Sequence, residues 1–305
     1  MRAVISIGRI FVFFVLAVFL TNCAVVQKGA DILGATGQIS ESDRQAIKRT
    51  SEAVRKSFSD ITEEEEYYIG RAVAALILAR YPVYKNTNLT RYINTLGNSV
   101  AMYSDRPEIY AGYHFLILDS DEVNALAAPS GLVFVTKGLL KRCKDEEMLA
   151  SILAHEIGHV AAKHGLRSIK KSRLIDAFTI IGQEAVKKYG SEELGKLTNI
   201  FEGVLGDIAE KLIENGYDRK FEYGADGFSL EYASETGYNP HGLVDFLQTM
   251  ADDSAEKTRK GWFKTHPSAE DRIKRARLRI ADFKMLPKKE LVRTQRFKQA
   301  IKSLK

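Results

Sequence analysis

Residues 155–159 read His-Glu-Ile-Gly-His, and the stretch that carries them has to fold as a helix with other elements wrapped round it. Asp145, Glu146 and Glu147 crowd one end, where carboxylates favour the positive pole of a helix dipole. Gly165 stands at the other end, where a helix stop is expected. Between them Met148, Leu149, Ile152, Leu153, Ile157 and Val160 recur at helical spacing, which predicts one helix over 145–165, buried on most sides. Two histidines four residues apart project from the same face of such a helix and can grip one metal ion. Glu156, about 100° round the axis from His155, can address a water on that metal. This is the HExxH pattern of zinc peptidases, with the glutamate as general base. The bland alternative is a chance match on an amphipathic helix, and the rest of the chain decides between them.

A zinc hydrolase needs three protein ligands and one open position for water. On a continuous helix His164 lies about 140° round from His159. Metzincin spacing would put glycine at 162 and histidine at 165, where this chain has Ala162 and Gly165. His164 is therefore expected to be a helix-end residue. The better candidate is Glu222 in Phe221-Glu222-Tyr223-Gly224-Ala225-Asp226. Glu222 and Asp226 share a helix face, so one can bind metal while the other accepts a hydrogen bond from a ligating histidine. Taken alone, such a pair is more often an exposed helix face.

The 305 residues carry a formal charge of +6, which raises the question of nucleic acid. The charge is local. Residues 271–305 hold 13 Lys/Arg against 3 Asp/Glu, a net +10, so residues 1–270 are net −4. A net acidic domain argues against a nucleic-acid partner. The basic C-terminal stretch reads as a solvated helical face, with contact to anionic lipid or an acidic partner as the alternative. Two cysteines, Cys23 and Cys143, indicate no disulfide framework.

At the other end Arg2 and Arg9 precede an apolar run from Ile10 to Leu20, a length that suits a signal peptide and falls short of a bilayer span. Leu20-Thr21-Asn22-Cys23 then resembles a bacterial lipobox, which predicts lipidation of Cys23. Asn22 departs from the small residue usual before the cut. Residue 24 is Ala and not Asp, which by analogy with bacterial lipoproteins implies the outer membrane. The expected organisation is a lipoprotein signal peptide over 1–22, the lipidated cysteine and a tether over 23–43, a catalytic domain over 44–285 and a basic tail over 286–305.

Within the domain, Thr62-Glu63-Glu64-Glu65 is a capping-box pattern that starts a helix ended by Tyr81-Pro82. The Glu63–Glu66 run reads as its solvated first turn. His114–Leu118 and Leu132–Val135 are strand-like, joined through an Ala-rich segment and the turn Pro129-Ser130-Gly131. Leu174 to Ile181 reads as a further helical stretch, too interrupted to cross a membrane. The expectation is an α+β fold, mostly α-helical, with a small β-sheet beside the HExxH helix.

Three blocks in the correct order then carry a resemblance: Asn124–Leu140 (NALAAPSGLVFVTKGLL), Asp145–His159 with the HExxH, and Glu222–Asp226 with the form E-x-x-A-D. Gly237-Tyr238-Asn239-Pro240 and Thr265-His266-Pro267-Ser268, followed by Arg272-Ile273, support them. From about Thr62 to Ile280 the chain resembles metallopeptidase family forty-eight, the gluzincins that include the CAAX prenyl proteases and HtpX. Within it the chain is most similar to the periplasmic outer-membrane lipoprotein branch, without the C-terminal helical-repeat domain some members carry. The resemblance implies a zincin-like catalytic domain holding one zinc ion on His155, His159 and Glu222, with Glu156 as base and Asp226 behind a zinc-bound histidine. His266 and Arg272 are candidate donors to the transition state, and His266 is alternatively a latch on the open zinc position. The backbone of Asn124, Ala125 and Leu126 is the candidate edge for pairing an extended substrate. The implied activity is endoproteolysis of misfolded or stalled envelope proteins, at the periplasmic face of the outer membrane of a Gram-negative bacterium. The assembly machinery of that envelope is a possible partner. A zinc-stabilised chaperone or scaffold with little turnover is the competing function.

Overall fold

Three short strands and the helices packed on them fix where residues 155–159 lie. The computed structural model describes residues 61–168, 203, 205, 206, 208–252, 262–266, 269–283 and 290–304. The expected signal peptide, lipobox with Cys23 and tether lie outside the described residues, as does the stretch from Leu174 to Ile181. Helix α1 spans Glu63–Arg80 and α2 spans Thr87–Ala101. The Asn86 side chain caps α2 by accepting from the Leu89 N–H, and Leu89, Ile93, Leu96 and Val100 form its buried face. Strands β1 (His114–Leu118), β2 (Ala125–Ala128) and β3 (Leu132–Thr136) form one sheet in the order β1-β3-β2. β3 pairs parallel with β1 and antiparallel with β2. The strands expected at 114–118 and 132–135 are present, and the Ala-rich segment between them becomes the edge strand β2. Between β2 and β3, Ser130 (φ 60°) and Gly131 (φ 78°) turn the chain.

After α3 (Lys137–Arg142) comes α4 (Glu146–Ala161), the helix of the HExxH residues. Asp145 caps it, its carboxylate accepting from the Met148 N–H at 2.9 Å. Every residue from Glu146 to Val160 is buried, so this is a core helix held on all sides. Fully burying side chains such as Leu149, Ile152, Leu153 and Ile157 contributes about 1.5–3 kcal/mol each, which anchors the histidines they alternate with. The helix is shorter than predicted. It ends at Ala161, and Lys163 takes the left-handed conformation (φ 53°, ψ 37°) that sends the chain into the short helix α5 (His164–Arg167).

Glu66 corrects another expectation. It is buried, ion-paired to Arg106 at 3.2 Å and Lys163 at 3.0 Å, and accepts from the Ser130 N–H. The helical repeat explains the difference: Glu66, Gly70, Val73 and Ile77 share the inward face of α1.

Next come α6 (Arg219–Glu235), α7 (His241–Asp252), α8 (Trp262–Thr265), α9 (Ala269–Ile280) and α10 (Glu290–Ala300). α6 runs close beside α4 because residue 158 is glycine; a Cβ there would fall 2.8 Å from the Phe228 Cβ. The C-terminal basic segment is not a free tail over 290–304. Phe297 and Leu304 are buried in the core, and Arg293 and Arg296 pair with Glu147 and Glu146 at the start of α4. Among the described residues, no helix is long and apolar enough to cross a membrane. The expected α+β, largely helical class holds.

Candidate metal centre

Four elements deliver side chains to one buried point. α4 supplies His155 and His159, one turn apart, with their Nε2 atoms 3.0 Å from each other. α6 supplies Glu222 and, one turn on, Asp226. The end of α8 supplies His266 and α9 supplies Arg272. All six are buried. His155, His159, Glu222 and His266 each bring a ligand atom, and these atoms lie within 4.8 Å of one another. Glu222 Oε2 is 3.6 Å from His155 Nε2, and its Oε1 is 3.5 Å from His159 Nε2.

The donor arrangement tests whether a cation fits. His155 Nδ1 lies 3.1 Å from Asp226 Oδ1, a charge contact without an aligned hydrogen bond. His159 Nδ1 lies 2.9 Å from His164 Nδ1. Protons on these two outer nitrogens leave both Nε2 lone pairs bare and facing each other, beside a Glu222 Oε1 that has no hydrogen-bond partner. Such a group needs a cation, a proton or a metal ion, among its lone pairs. Two imidazoles and a carboxylate are donors that zinc takes, and the residues fit it.

Electrostatics agree with a site built to hold positive charge. Burial opposes a charged His155, but the Asp226 and Glu222 carboxylates outweigh it and raise the imidazole to about 9. Burial and then the neighbouring His155 hold His159 well below the usual imidazole range. Burial works against ionised Glu222, yet His266, His155 and Arg272 together hold it well below the usual carboxylate range. Glu156 goes the other way, pushed up by burial against the pull of His266 and His155. Its Oε1 has no hydrogen-bond partner among the described residues and stands 3.8 Å from His266 Nε2.

Each residue singled out in the sequence has a definite place. His266 Nδ1 donates to Glu222 Oε2 at 2.9 Å, and its ring stacks on Trp262 at 4.0 Å. Arg272, expected to serve as a transition-state donor, instead spends its donors on the site's own groups. Nε and Nη2 bind Asp226 at 2.8 and 2.7 Å, and Nη1 faces Glu222 at 3.2 Å and the His266 carbonyl at 3.4 Å. A fully buried guanidinium needs such carboxylates, which is why it is drawn to them. Asn124, Ala125 and Leu126 lie on or beside β2, and all are buried. The Asn124 Oδ1 accepts from the Thr265 hydroxyl at 3.1 Å, tying the edge strand to the residue before His266.

Two neighbours were not singled out in the sequence, and a third, His164, was expected only as a helix-end residue. Tyr217 stacks on His159 at 4.5 Å, and its buried hydroxyl has no hydrogen-bond partner among the described residues. Trp262, the chain's one tryptophan, backs His266. His164 faces His159, a contact that a continuous helix forbids and the turn at Lys163 makes. A histidine five residues past an HExxH was the available signal.

Comparison with known proteins matches residues 87–280 to Peptidase family M48. The chain is 27% identical over 227 residues to a beta-barrel assembly-enhancing protease of Yersinia pestis, covering 73% of this chain and 46% of that one. It is 32% identical over 196 residues to metalloprotease YcaL of Escherichia coli (strain K12), covering 64% of this chain and 70% of that one. Metalloprotease LoiP of the same strain is 28% identical over 193 residues, 63% of this chain and 69% of its own length. The chain thus spans about half the length of the beta-barrel assembly-enhancing protease it matches.

Proposed function

The chain belongs to peptidase family M48 and is a metallopeptidase, and on that footing we propose that it is a zinc endopeptidase anchored to the membrane as a lipoprotein through Cys23. The observation that carries this reading is the meeting of His155 Nε2, His159 Nε2 and the Glu222 carboxylate at 3.0–3.6 Å, with the Glu156 carboxylate beside them. His155, His159 and Glu222 hold the metal. A zinc ion bound there supplies an acidified water and polarises the peptide carbonyl. Glu156 takes the proton of the attacking water, its basicity raised by burial, and returns it to the leaving amine. Asp226, itself clamped by Arg272, holds the His155 ring in place.

Substrate enters as an extended chain on the outer edge of β2, paired through backbone groups that read little side-chain identity. That mode suits unfolded or stalled chains in the envelope of a Gram-negative bacterium, on the periplasmic face of the outer membrane. The name of the Yersinia pestis relative supports substrates drawn from β-barrel assembly there. His266 sits among the metal-ligating atoms, which favours a latch over a transition-state donor. The Thr265 hydroxyl bonds the Asn124 side chain, so the 262–266 segment lies against that end of the edge.

The test is cleavage of an unfolded casein-type protein by the zinc-loaded full chain against Glu156→Gln. Loss of a general base costs about 10²–10⁴-fold. Equal cleavage by both proteins removes the peptidase reading and leaves the scaffold. Fatty-acid labelling of the wild type, absent in Cys23→Ala, tests the anchor.

A further inference from the structure

The two histidines of α4 are held from behind by different chemistry. His155 has the Asp226 carboxylate at its outer nitrogen, and that carboxylate is charge-compensated by Arg272. Among the described residues His159 has no carboxylate at its outer nitrogen. Its outer nitrogen meets the ring nitrogen of His164, Nδ1 to Nδ1, at 2.9 Å, and both rings are buried.

For His159 to present its Nε2 lone pair to a metal, its one ring proton has to be on Nδ1. The acceptor the structure provides for that proton is His164 Nδ1, which must then be bare, with the His164 proton on Nε2. We propose that His164 is the positioning residue for His159, fixing its tautomer and ring plane by accepting the Nδ1 proton. The proposal rests on the metal reading of this centre.

Several features set His164 in that place. Lys163 adopts the left-handed turn that swings residue 164 back toward α4, and the Lys163 ammonium is held by buried Glu66 at 3.0 Å. The His164 ring lies on Phe221 at 4.4 Å, next to Glu222 in sequence. Tyr217 covers the flat side of His159 at 4.5 Å. Gly165 leaves the space behind, since a Cβ there would meet Pro129 and the Tyr217 hydroxyl at 3.3–3.4 Å. The result is a neutral partner on one histidine and a carboxylate on the other. A carboxylate raises ligand basicity as well as orienting the ring; a neutral imidazole orients it without adding negative charge.

Zinc affinity of the full chain, measured by competition with a chromophoric chelator, decides the matter. His164→Leu, which offers no acceptor, is expected to weaken zinc binding about 10–100-fold. His164→Asn, whose amide oxygen can stand near the original Nδ1, restores most of it. Thermal melting of the metal-free proteins separates positioning from folding: the Leu variant should melt like the wild type. Zinc binding by His164→Leu within twofold of wild type overturns the proposal, while a wild type that binds no zinc overturns the metal reading along with it. A measurement without substitution stands beside these, should the Leu variant not fold. In zinc-loaded wild type carrying ¹⁵N-histidine, a scalar coupling across the N–H···N bond should link His159 Nδ1 to His164 Nδ1. Its absence contradicts the assignment.

Discussion

The two ends of α4 carry comparable loads of buried charge and treat them in opposite ways. At the N-terminal end, Glu146 accepts from Tyr92 at 2.8 Å and Tyr238 at 2.9 Å and is paired with Arg296. Glu147 there takes the Arg293 guanidinium at 2.9 Å and the Asn239 N–H at 2.6 Å. Their carboxylate oxygens are all engaged. At the other end Glu156 Oε1 and Glu222 Oε1 have no hydrogen-bond partner among the described residues, and two imidazole nitrogens face each other at 3.0 Å. A buried polar group left unsatisfied costs about 1–3 kcal/mol, so a fold keeps several together only where something else supplies the missing partner. The saturated cluster is structural. The unsaturated one is the candidate site.

That contrast can be broken by experiment, most sharply at Glu222. Glu222→Gln removes a ligand and the charge that balances the histidines. Stoichiometric zinc should be lost on dialysis, with activity falling more than about 100-fold, since even losing a partner behind a ligand costs 10–100-fold. A variant that retains zinc and cleavage places the metal elsewhere. His266→Ala comes next. If the latched state holds about nine-tenths of the molecules, freeing the position raises proteolysis about tenfold. Unchanged or lower cleavage rejects the latch and returns His266 to the role of donor.

The smallest effect belongs to the saturated end and is one of stability alone. Glu146→Gln removes charge-assisted hydrogen bonds, for a loss of about 2 kcal/mol or roughly 5 °C in Tm, with zinc binding intact. Burial alone would raise Glu146, but Arg296, Tyr92 and Tyr238 overcome it and hold the group below its usual value. The sign follows. Its stabilisation is complete above the unfolded carboxylate value of about 4.3 and is lost as pH falls through the lower folded one. Acid melting that is identical in wild type and Glu146→Gln would contradict this.

Much was legible before any coordinates. The apolar period through 148–160 predicted a core helix, the spacing of 155 and 159 placed two imidazoles on one face, and the 222–226 pair marked the helix that would meet them. Local rules suffice there, because helical geometry alone sets which side chains share a face. The family expectation, drawn from blocks in order, also holds. Less legible were contacts that depend on a departure from the local rule. His164 looked misplaced because the helix was extended through Lys163, and one residue in the left-handed region reverses that conclusion. Glu66 looked solvated in a run of four glutamates, although its own helical face pointed inward.

What the sequence determined by itself is the set of donors at 155, 156, 159 and 222 and the elements that bear them, since period and spacing depend on neighbours in the chain. Apart from Asp226, only tertiary structure decided which groups stand behind those donors. Arg272 clamps Asp226 and does not face outward, Trp262 backs His266, and His164 faces His159. The reason is physical: a buried charge or ring nitrogen takes whichever partner the packing brings within about 3 Å, and that proximity is set by helices far apart in the chain.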